Sequence, residues 1–117
     1  MSDSFFRLGI LFDFYGVLLT KKQQECLKMH LYDDWSLSEI ADFYGISRQS
    51  AYDMIHRCEK TLEKYEMKLK LIEKHKTAQI LLNNILLQIN NLKHDVHIKE
   101  FNNIKKDVRK LLNSQII

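Results

Sequence analysis

Apolar residues crowd the stretch from Phe5 to Leu19, broken only by a few small residues, Arg7 and Asp13. This predicts a first helix over about 3–19 that is apolar nearly all round and therefore central to a core. Thr20 followed by Gln23 has the spacing of a capping box and starts a second helix. That helix carries Cys26, Leu27, Met29, Leu31 and Tyr32 and ends at Asp33-Asp34-Trp35. Ser36 with Glu39 repeats the box before a short third helix that stops at Gly45. Ser47 caps a fourth helix that nothing in the sequence interrupts for nearly thirty residues. Along it Ala51, Ile55, Cys58, Leu62, Tyr65, Leu69 and Ile72 recur at spacings of four and three, the seam of a coiled coil. A second seam (Ala78, Leu82, Ile85, Ile89, Leu92, widened by Leu81 and Leu86) and a third (Phe101, Ile104, Val108, Leu111) follow. Asp95 is the expected cap between them.

The expected fold class is all-α: a helix-turn-helix bundle with a long fourth helix and a helical C-terminal extension. A boundary near Lys74–Thr77 divides residues 1–75 from residues 76–117. The chain has no Pro and only three Gly among 117 residues, which leaves few positions where a helix must stop. Cys26 and Cys58 fall at apolar helical positions and are expected as buried, reduced thiols. The apolar N-terminal stretch is too short for the ~20 residues of a spanning helix and has no cleavage site after it. A cytoplasmic protein without membrane insertion is expected.

Residues 36–55 meet the demands of a helix-turn-helix. Ala41 is small where two helices cross, and Gly45 supplies a turn residue suited to positive φ. Ile46 is expected to plug the turn, while Ala51 and Ile55 bury the next helix, with Leu37 and Ile40 completing the apolar face. If Ala51, Ile55, Cys58 and Leu62 point inward, the outward line holds Gln49, Asp53, His56 and Lys60, flanked by Arg48, Ser50, Tyr52 and Arg57. In duplex DNA, Gln49 would read adenine and Arg48 guanine or a phosphate, with the Ser47 and Ser50 hydroxyls on phosphate. Asp53 opposes this, unless it pairs with Arg57 four residues on. A plain protein-interaction scaffold fits the same motif.

Charge sharpens the picture. The net charge is +3, but residues 1–45 carry four Lys/Arg against seven Asp/Glu, or −3. Residues 46–76 carry eight against five and residues 77–117 six against three, +3 each, so the basic part begins at the recognition helix.

The run Leu11-Phe12-Asp13-Phe14-Tyr15, then Leu18-Leu19-Thr20 with Lys22-Gln23, resembles the opening of the YlxM-type family of small bacterial helix-turn-helix proteins. The resemblance continues in residues 36–41, in Ser47-Arg48-Gln49 and Tyr52-Asp53, and in Tyr65-Glu66 with Lys68-Leu69, covering roughly residues 8–72. It implies a fold like region four of bacterial sigma factors. It also implies a gene neighbourhood shared with the signal recognition particle GTPase, and a regulatory or accessory role in that targeting pathway. Ser50-Ala51 stands where the family pattern has Ala-Val, and His56 where it has a basic residue.

Three kinds of partner follow: duplex DNA, the particle's protein, or its RNA through the Lys60, Lys64 and Lys68 row. A homodimer through the extension is also expected. Its grounds are a Leu62–Ile72 seam projecting past the core and apolar surplus at Leu81, Leu86, Leu87 and Leu112. No phosphate-binding Gly-rich loop or nucleophilic triad is present, so neither an enzyme nor a cofactor is expected. His94 and His97 lack the further ligands a metal site needs.

Overall fold

A computed structural model describes residues 2–92 and 97–114. Six α-helices lie among them: α1 Ser2–Tyr15, α2 Lys21–Leu31, α3 Leu37–Tyr44, α4 Arg48–Leu69, α5 Leu71–Asn91 and α6 Ile98–Ser114. The chain is all-α. It forms two units, Met1–Ile72 and Glu73–Ile117. The expected cap Asp95 and the ligand candidate His94 lie outside the described residues.

The local signals act where they stand. Thr20 and Ser36 each accept from the backbone N–H three residues on, and the Gln23 and Glu39 side chains return the bond. Gly45 takes φ +66°, and the Ile46 and Gly45 N–H groups close onto the Ala41 and Asp42 carbonyls. That is a Schellman ending, which satisfies carbonyls the helix leaves orphaned. Ser47 then accepts from the Ser50 N–H to start α4.

The first unit packs α1, α2, α3 and the inner face of α4 around Leu11, Leu27, Ile40, Ala51, Cys58 and Leu62, all buried. Cys26 and Cys58 are buried free thiols. Arg7 forks onto Glu63, its Nε 3.2 Å and its terminal nitrogen 2.8 Å from the two carboxylate oxygens, tying α1 to α4.

Several expectations are corrected. The first helix ends at Tyr15, and the chain tightens into a 3₁₀ turn over Gly16–Leu18. A Cβ at Gly16 would come within 2.9 Å of the Phe12 ring, so the ring lies where only glycine leaves room. The first helix is also not buried all round, because Phe5 and Phe6 are exposed, as are Val17 and Leu18 in the turn after it. The fourth helix does not run on. It ends at Leu69, with Lys70 left-handed at φ +54°. Its seam is covered at Leu62 and Ile72, both buried, and at Tyr65, whose ring lies 6.0 Å from that of Tyr15, while Leu69 stays exposed.

In the second unit, α5 and α6 run antiparallel, with the Gln79 amide donating to the Leu112 carbonyl at 3.0 Å. The inner line of α6 is Phe101, Lys105, Val108 and Leu112, while Ile104 and Leu111 of the expected seam face outward.

Candidate nucleic-acid interface

The exposed half of α4 begins where its N-terminus leaves the turn. With Ala51, Ile55 and Cys58 buried against the core, helical geometry turns the opposite side chains to solvent. Ser47, Arg48, Gln49, Ser50, Tyr52, Asp53, His56, Arg57 and Lys60 are all exposed, on one rigid element. The packing that positions them comes from residues 41, 51 and 55. Ile46 keeps 37% of its surface exposed, so the turn is held by its backbone bonds and not by an apolar plug.

Within this face the side chains organise one another. The Ser47 hydroxyl lies 2.9 Å from that of Ser50. The Gln49 amide donates to the Asp53 carboxylate at 3.0 Å. This corrects the expected Asp53–Arg57 ion pair, since the Arg57 Nε reaches the Asp53 backbone carbonyl at 3.4 Å instead. An amide nitrogen has two protons, so Gln49 retains its oxygen and one N–H for a ligand, which is what a bidentate contact to adenine requires. Asp53 thus holds Gln49 in place while its own charge stays on the face. The Tyr52 and His56 rings stack at 5.8 Å with planes 11° apart. His56 Nδ1 also lies 3.7 Å from a Glu59 carboxylate oxygen.

Two features escaped the sequence. Leu37 joins Arg48, Gln49 and Tyr52 around a shallow depression of about 340 Å³, an arrangement that depends on how α3 meets α4. The acid at residue 59, three positions from His56, is legible in the sequence only as a spacing. Further along α4, Lys60, Lys64 and Lys68 are exposed at successive four-residue steps. Among the described residues no cluster of His, Cys, Asp or Glu could hold a metal ion, and no helix is long and apolar enough to cross a membrane.

Comparison with known proteins places these residues inside a longer match. Residues 3–111 fit the model of a family described as "Putative helix-turn-helix protein, YlxM / p13 like". That is not an enzyme family. A UPF0122 protein of Shouchella clausii is 51% identical over 82 residues, covering 70% of this chain and 75% of its own. One from Caldanaerobacter subterraneus is 49% identical over 75 residues, 64% of each chain. A Streptococcus pyogenes relative is 42% identical over 94 residues, 80% of each chain.

Proposed function

The chain belongs to the YlxM / p13-like family of helix-turn-helix proteins, and from that premise we propose that it is a cytoplasmic regulatory protein that binds duplex DNA through the first half of α4. The observation that carries this reading is the face itself, exposed from Ser47 to Lys60 and backed by buried Ala51, Ile55 and Cys58. In the major groove the N-terminal end of such a helix meets the base edges. Arg48 neutralises phosphate or reads guanine, and Gln49, steadied by Asp53, reads adenine. The helix N-terminus and Ser47 favour a phosphate oxygen.

Fluorescence anisotropy with a pool of random duplexes and with sequences selected from it tests this. Arg48→Ala should weaken all sequences alike. Gln49→Ala should relax preference at one base by about 1–3 kcal/mol. Binding should fall steeply with salt, as counterion release requires. Unchanged affinity in the double variant rejects the assignment.

A second reading rests on a different observation, the lysine row at residues 60, 64 and 68. Such a row fits the phosphates of an RNA helix. With the resemblance to a family linked to signal recognition particle genes, it favours docking on that particle's RNA or GTPase. Replacing Lys64 and Lys68, which lie beyond the DNA-facing half of α4, with Ala should then abolish RNA binding and leave duplex DNA binding nearly intact.

A further inference from the structure

Glu73–Ile117 is a unit with too little core of its own. Among its described residues only Ile89 and Val108 are buried. Chains of about this length rarely hold a fold without a metal, a disulfide or a partner. The described residues hold no metal cluster, and both cysteines are free and lie in the other unit.

The surplus apolar surface is ordered. On α5, Leu81, Ile85 and Gln88 follow one another at spacings of four and three, and Leu92 continues the line one residue past the helix end. At about 100° per residue they form one stripe, flanking the inward line of Ala78, Leu82, Leu86 and Ile89. On α6, Ile104 and Leu111 form a stripe flanking Val108 in the same rotational sense. In two right-handed helices packed antiparallel, flanks of the same sense lie on the same side of the pair. The two stripes therefore make one apolar face. Leu81, Ile85 and Leu92 are 57%, 43% and 52% exposed, and Ile104 and Leu111 45% and 52%.

We infer that this face is covered by a second copy of the same hairpin, so that two chains complete a four-helix bundle. Three features favour a copy over a foreign partner. Residues 77–92 contain no Asp, Glu, Lys or Arg, so the α5 side offers no charge for a complementary partner to read. Its one polar stripe residue, Gln88, is an amide, donor and acceptor at once, which can pair with its own image across a two-fold axis, as a charged group cannot. The size also suits. Two helices side by side, each about 10 Å across and some 25 Å long, present a footprint of about 500 Å², that of a modest interface whose dimer exchanges at micromolar concentrations. Packing of this kind is the usual left-handed bundle geometry.

The inference is independent of the nucleic-acid reading, and its test contains no nucleic acid. Light scattering of the full chain should give twice the 14.0 kDa chain mass at about 50 µM, and analytical ultracentrifugation should give a dissociation constant below that. Leu81→Lys should yield monomer. Because a monomeric hairpin loses core, the milder Leu81→Ala is the second arm, and it should raise the dissociation constant about tenfold or more. Ile80→Lys with Leu87→Lys, on the other side of α5, should leave the dimer intact. A wild-type monomer overturns the inference. So does a dimer indifferent to both Leu81 variants, or one split by the Ile80 and Leu87 pair alone.

Discussion

Tyr15→Phe removes one oxygen atom from a fully buried side chain, and the structure says what that atom holds. The hydroxyl donates to the Glu66 carboxylate and accepts the Leu71 N–H at 3.0 Å. The same carboxylate oxygen accepts the Ile72 N–H at 3.0 Å. Tyr15 and Glu66 together therefore cap α5, from 56 and 6 residues away. The substitution opens no cavity, since the ring remains. A hydrogen bond to a charged group contributes about 1.5–3 kcal/mol. Glu66 keeps its bond to Ile72, and half-exposed Leu71 can turn its N–H toward water, so the net loss should be about 2 kcal/mol.

For a unit of this size that lowers Tm by roughly 10 °C, readable by circular dichroism. A pH series adds a second readout. Burial first, and then the bond to Glu66, raise the Tyr15 hydroxyl above its ordinary value of 10.0. The protonated form is the one favoured on folding. Its contribution is complete below that ordinary value and is lost as pH climbs through the raised one. Wild-type stability should thus decline above pH 10, and the variant should decline less. A Tm drop under about 3 °C, with an unaltered alkaline limb, refutes the remote cap.

Two further predictions concern single atoms in the same unit. Gly45 holds φ +66° with open space around a built Cβ, so the penalty for substitution is backbone strain alone. Gly45→Asn should cost well under 1 kcal/mol and Gly45→Val more than about 2 kcal/mol by thermal melting. Equal losses would mean that packing and not φ fixes the glycine. Burial first, and then the neighbouring Cys26, push the Cys58 thiol from 9.0 up to about 11. That stabilisation is complete below pH 9 and lost as pH rises through about 11, so Cys58→Ala should flatten the decline between them. An unchanged slope would show that Cys58 does not carry it.

What the sequence determined by itself lies within four or five residues of each signal. The boxes at Thr20–Gln23 and Ser36–Glu39, the stop at Gly45 and the cap at Ser47 need only their own turn of helix, so spacing sufficed to find them. The buried side of α4, and with it the exposed side that carries Arg48 and Gln49, followed from periodicity for the same reason. Contacts across long separations were not legible. Nothing near Lys70 marks a helix end, because the groups that reward the break, the Tyr15 hydroxyl and the Glu66 carboxylate, meet only when α1 packs on α4. The phase of α6 was decided in the same way. Its apolar arc is wider than one neighbouring helix can cover, so the sequence allowed either flank to turn inward. Packing on α5 chose Val108 and Leu112 and left Ile104 and Leu111 outside. The partner of Asp53 shows the limit at its closest. Gln49 and Arg57 stand four residues to either side, equivalent in spacing, and only the folded side chains give the carboxylate to Gln49.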